Sequence, residues 1–198
     1  MKQRQINSKK GFTIIEVVLV LAIAALIFLM VFIALPALGR SQRDTQRRDD
    51  LSRMAAALTN YQSNNTGSNP AGTARFEGKK EYTKDQIDGF ARSKGWEYFY
   101  AKYLLVQDGT KDKFADPDGT AYGINVEACT PRSTKNGEAC SKGQKTGITW
   151  SDQATSGHMI NVVTNAACDG ETAVYSTGER KIALLYKLEQ GGVLCHNI

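Results

Sequence analysis

From Phe12 to Leu38 the chain reads FTIIEVVLVLAIAALIFLMVFIALPAL, an apolar run interrupted by one ionisable side chain, Glu16. At ~1.5 Å per residue a helix of this length reaches about 40 Å, more than the ~30 Å hydrocarbon core of a bilayer. The run therefore reads as a membrane-spanning helix, and the rest of the chain has to be arranged around it. A secretory signal that is cut away would need a short apolar core followed by small residues. Ala22-Ile23-Ala24 offers such a triplet, but the apolar residues from Ala25 to Ala34 follow it, so a cut there would leave a greasy new end.

A plain anchor does not explain Glu16. Insertion scales charge roughly 2.5–3.5 kcal/mol for Asp or a base at the centre of a membrane helix. Near the end of the run an anchor tolerates an acid by holding it among headgroups; the sharper reading gives the carboxylate a partner on another molecule. The residues around it, Lys9-Lys10-Gly11-Phe12-Thr13-Ile14-Ile15-Glu16, resemble the processing site of type IV pilins and their relatives. In that family a dedicated membrane peptidase cuts after the glycine, so the apolar segment stays in the mature protein. The resemblance implies cleavage between Gly11 and Phe12, N-methylation of Phe12, and Glu16 at the position where the family carries its glutamate. The chemistry is coherent: cleavage creates an α-amino cation at the end of an apolar helix, and Glu16 lies about one helical turn below it. When such helices bundle with an axial offset, the carboxylate of one subunit meets the amine of the next. Gly11, with no side chain, lies easily extended in a protease cleft.

Pro36 cannot donate the hydrogen bond that a continuing helix would send to Phe32, and Gly39 follows, so residues 33–39 are expected to form a soft joint. Family members with a proline in this helix carry it closer to the glutamate. Beyond Gly39 the pattern turns polar, with Arg40, Arg43, Asp44, Arg47, Arg48, Asp49, Asp50 and Arg53. Asp44 with Arg48 and Asp49 with Arg53 are acid-first i,i+4 pairs that support a continuing helix, read as a solvated charge run. Leu51, Met54, Ala55, Leu58, Tyr61 and Gln62 then recur on one face, apolar apart from its last member. Asn64-Asn65-Thr66-Gly67 ends the helix with turn formers; it also spells a glycan acceptor, a triplet common by chance. The expected organisation is a leader over 1–11, an apolar helix over 12–39, its amphipathic continuation over 40–65 and a head over 66–198.

In the head, Thr83-Lys84-Asp85-Gln86 fits a capping box, and Trp96, Phe99, Tyr100, Tyr103 and Leu104 follow helical spacing as a packed aromatic stripe. Strands are expected over Ala121–Glu127, His158–Val163, Thr172–Ser176 and Lys181–Glu189. The four cysteines all fall late in the chain, which suggests an oxidising compartment. The simplest pairing is Cys129 with Cys140 and Cys168 with Cys195, the second fastening the tail Val193–Ile198 to the sheet; four cysteines allow other pairings, which sequence leaves open. Terminal disulfides of this kind occur in many pilins.

The net charge of +5 does not mark a nucleic-acid binder, because Lys2, Arg4, Lys9 and Lys10 supply most of it and the remainder is nearly neutral, without the basic face that phosphates require. No catalytic constellation is present. Gly143-Gln144-Lys145-Thr146 lacks the spacing of a phosphate loop, no zinc spacing links Cys195-His196 to the other cysteines, and Asp116-Pro117-Asp118-Gly119 reads as a β-turn before it reads as the calcium loop known in some pseudopilins. No metal and no cofactor is expected. Topology is not decided by charge, since Arg40, Arg43, Arg47 and Arg48 match the leader's four bases; the cysteines and the resemblance place the head outside. The expectation is an α+β pilin fold, a long N-terminal helix on a small antiparallel sheet with a disulfide-tied C-terminal region. The resemblance implies a membrane precursor that becomes a filament subunit at the cell surface. Its partners would be its own copies, the prepilin peptidase, an assembly platform with ATPases, and a host-cell or surface receptor; the filament would serve adhesion, twitching motility or DNA uptake. The rival readings are a pseudopilin of a type II secretion or competence apparatus, an anchored extracellular binding domain that never polymerises, and an envelope enzyme.

Overall fold

The computed structural model describes residues 11–79, 81–105, 114–129, 158–178 and 180–198. It is a pilin-like α+β chain that divides into two units, one up to Ser41 and one from Gln42 onward. Helix α1 runs from Ile14 to Asn64 and continues through Pro36 and Gly39. In the first unit its large apolar side chains are exposed on every side, from Phe12 to Leu38. The helix ends where the sequence places turn formers. Gly67 N–H donates back to Gln62 C=O at 2.7 Å, and Gly67 takes φ +81°, the left-handed closure that glycine permits.

In the second unit α1 packs on a five-stranded sheet built from β1 (Arg75–Glu77), β2 (Gly123–Ala128), β3 (Met159–Thr164), β6 (Ile182–Lys187) and β7 (Val193–Asn197), adjacent in that order. A two-stranded hairpin, β4 (Ala166–Asp169) with β5 (Thr172–Tyr175), lies beside it. The alternation of each strand sends one set of side chains to the helix. Leu51, Met54, Leu58 and Tyr61 of α1 meet Ile124, Val126, Ile160, Val162, Ile182, Leu184 and Tyr186 in one buried cluster. Helix α2 (Lys84–Ala91) carries the expected capping box of Thr83 and Gln86. Helix α3 (Trp96–Phe99) and the π-helical turn Tyr100–Leu104 after it bury Trp96, Phe99, Tyr100 and Leu104, so the aromatic stripe is core.

The sheet corrects the antiparallel expectation. β2 and β3 run parallel, Gly123 opposite Met159 through Ala128 opposite Thr164, while the other pairings are antiparallel. A parallel pair needs a long return connection, and the separation in sequence between Ala128 and Met159 provides one. The expected strands do not include β1, β4 or β7; β7 is the segment the sequence reads only as a tail fastened to the sheet. The disulfide Cys168–Cys195 joins β4 to β7, with Cα atoms 5.7 Å apart, and so fastens the tail as expected. Cys129 is buried at the end of β2; its expected partner Cys140 lies outside the described residues, as do the leader bases and the Gly143–Thr146 segment.

Candidate assembly site and the charged neck

At the start of α1 the geometry is local. Thr13 N–H donates to Glu16 Oε2 at 2.8 Å, Thr13 Oγ1 donates to the same oxygen at 2.8 Å, and Glu16 N–H donates back to Thr13 Oγ1 at 3.4 Å. This reciprocal exchange is a capping box, in which the third helical residue reaches back to the residue that opens the helix. The carboxylate therefore has a partner within its own chain, whereas the sequence alone points to one on another molecule. The signal is present, since Thr13-Ile14-Ile15-Glu16 fits the same Thr-x-x-Glu/Gln pattern as Thr83-Lys84-Asp85-Gln86. The box points the carboxylate toward the chain's N-terminal side, where a new amino group at Phe12 would lie. Phe12 is 91 % exposed, and an added Cβ on Gly11 would meet nothing within 4 Å. Thr13→Val keeps the shape and removes the hydroxyl. The amides of the first turn are expected to exchange roughly three- to tenfold faster in detergent-solubilised protein, the size of a typical ~1 kcal/mol cap; amide exchange checks it.

The second cluster corrects the solvated reading of the charge run. Asp44 and Arg47 are buried, at 5 % and 8 % exposure, and neither i,i+4 pair is the contact that matters. Arg47 makes a two-pronged bond to Asp116, Nε to Oδ2 at 2.8 Å and Nη2 to Oδ1 at 3.0 Å, and a third bond from Nη1 to Asp44 Oδ1 at 3.0 Å. Tyr186 of β6 donates its hydroxyl to Asp116 Oδ2 at 2.8 Å. Asp44 accepts from the backbone N–H groups of Glu189 and Gln190 at 2.9 and 3.1 Å, and Arg43 grips the Glu189 carboxylate at 2.6 and 2.7 Å. Asp50 accepts from the Tyr122 hydroxyl at 2.8 Å.

Burial opposes ionisation of Asp116 and Asp44, but hydrogen bonds prevail and hold both carboxyls below the ordinary value: Arg47, Asp118 N–H and Tyr186 at Asp116, the loop N–H groups and Arg47 at Asp44. Arg43 takes Glu189 down to about 2. Asp50 moves the other way, raised by burial. The lowered groups contribute stability that is fully present above their ordinary values of 3.8 and 4.5 and is lost as pH falls toward their folded values. Asp50 runs with the opposite sign, its protonation favouring the folded chain. With three groups against one, an acid titration followed by thermal melting is expected to show the melting temperature fall between about pH 4.5 and 2, and Glu189→Gln to flatten that limb.

Asp116, Asp118 and His158 bring one potential metal-ligand atom each within 4.8 Å of one another, with His158 Nε2 3.0 Å from Asp118 Oδ2. Both oxygens of Asp116 are already taken by Arg47, Tyr186 and Asp118 N–H. The group serves as the junction between helix and sheet, and the turn that the sequence suggested is there to present it.

Comparison with known proteins bears on the first cluster. Residues 6–32 match the family model described as the prokaryotic N-terminal methylation motif. No curated protein and no solved structure matches the chain.

Proposed function

We propose that this chain, which carries the N-terminal methylation motif of prepilin-like proteins, is a structural subunit of a type IV pilus. The precursor waits in the cytoplasmic membrane with its head outside, a prepilin peptidase removes residues 1–11, Phe12 is methylated, and the subunits polymerise through their apolar helices. The observation that carries the reading is where the exposed oil lies. Among the described residues the exposed large apolar side chains all fall between Phe12 and Leu38, and none is on the head. Lipid can cover such a helix in the precursor, and neighbouring helices can cover it in a fibre. A binding domain that acts alone needs only an anchor and gives no reason for a carboxylate poised beside a processing site. The assembly platform, its ATPases and the surface the fibre touches are the partners this reading requires.

The test is to shear fibres from cells and determine the N-terminus of the purified subunit by mass spectrometry. A methylated Phe12 in abundant fibres is the expected result. A native polypeptide that still begins at Met1, dispersed as single copies in lipid, would overturn the proposal.

A further inference from the structure

From Arg40 to Asp50 the helix contains no apolar residue. Among the contacts described, its hold on the head over these turns is made by ion pairs and charge-assisted hydrogen bonds: Arg43 and Arg47 on Glu189, Asp44 on the loop N–H groups, Arg47 on Asp116, Asp50 on Tyr122. From Leu51 onward the buried contacts are chiefly apolar, through Leu51, Met54, Leu58 and Tyr61, with hydrogen bonds from Arg53 and Tyr61 at their edge. The two kinds of contact respond differently to opening. An ion that leaves a buried pair regains its hydration, and for this reason buried pairs come close to breaking even against solvation. An apolar side chain that leaves its pocket gains nothing from water. The partner side is also built as a detachable piece. Glu189 and Gln190 sit in the turn between β6 and β7, closed by Gly191 and Gly192 at φ +94° and +82°, and they present backbone N–H groups to Asp44.

We propose that residues 42–50 form a releasable charged strap, which lifts from the β6–β7 turn, Asp116 and Tyr122 and admits water while the helix stays seated from Leu51 to Tyr61. The strap is a property of the single subunit. Its use, letting the neck of each subunit yield under tension before the core is disturbed, rests on the filament reading above. The measurement below is made on unassembled protein, so its outcome bears on the strap alone.

The N–H groups of residues 189 and 190 report directly, because in the closed strap each donates to Asp44. Site-resolved amide exchange on the full chain in detergent at neutral pH should find both protected relative to free peptide, yet at least about tenfold faster than the amides of Leu184 to Tyr186 within the sheet, as local opening requires. Glu189→Gln removes the charge that Arg43 grips and that Arg47 Nη1 reaches at 3.3 Å, at a half-exposed position. It should speed exchange at 189 and 190 by roughly three- to tenfold and leave the Leu184–Tyr186 amides unchanged. Protection at 189 and 190 equal to that of the sheet would overturn the proposal, as would free-peptide exchange there. Equal acceleration of both sets in the variant would do the same, since it would mean that the head opens only as a whole.

Discussion

Glu16→Ala is expected to abolish fibres while leaving the protein inserted in the membrane and its head folded. In the subunit the carboxylate is exposed and bonds only to Thr13 among the contacts described, so its loss frays one helical end and touches nothing in the head. In a fibre the same group would lie in a dry bundle opposite the amine of a neighbour's Phe12. Removing one partner of such a pair strands the other at a cost of ~3–5 kcal/mol. At about 1.4 kcal/mol per factor of ten, that is more than a hundredfold in the equilibrium of each addition. Because every subunit repeats the loss, growth should fail and not merely slow. Glu16→Asp keeps the charge but shortens its reach and should leave sparse or short fibres. Electron microscopy of sheared material, with immunoblots of whole cells to show equal subunit levels, makes the measurement. Fibres of normal number and length from Glu16→Ala would refute the pairing of amine and carboxylate.

The features legible in the sequence were those whose cause is local. The apolar run, the turn formers after Asn64, the capping box at Thr83 and the helical spacing of Trp96, Phe99 and Tyr100 each depend on neighbours a few residues away, and each appears in the structure. The charge run was misread because its partners are remote. Nothing near Arg47 in sequence announces that Asp116 and Tyr186 will stand beside it, and a helix face carrying Arg43, Asp44 and Arg47 looks solvated until the sheet supplies their counterparts. The parallel pairing of β2 with β3 was hidden for a related reason, since strand direction is set by how the chain returns and not by the composition of either strand. Thr13 is a different case. Its capping pattern was legible, but the same residues also fall in the N-terminal methylation motif, and one pattern concealed the other.

Leu58→Ala, on the head-facing side of α1, is expected to be more damaging than Asp116→Leu, in the turn that Arg47 of α1 grips. Leu58 is completely buried in the cluster where α1 meets β2, β3 and β6. Truncating it removes transfer free energy and leaves a cavity that the sheet cannot close, a loss of ~2–5 kcal/mol. For a chain of this size that is a fall of roughly 4–20 °C in melting temperature. Asp116→Leu deprives Arg47 of its two-pronged partner, and in a sealed interior it would cost at least as much. Here the damage is limited by the neck itself. If the strap releases as proposed, Arg47 leaves with it and recovers its hydration in water, so the loss is limited to the cost of opening the strap plus that of the Tyr186 hydroxyl and the Asp118 N–H left without their acceptor. The predicted order is therefore Leu58→Ala below Asp116→Leu below the native chain in melting temperature, read from the near-ultraviolet circular dichroism of the buried tyrosines. A reversal, with the ionic substitution the worse, would mean that Arg47 is trapped, and that the helix is held at its charged neck as firmly as at its apolar seat.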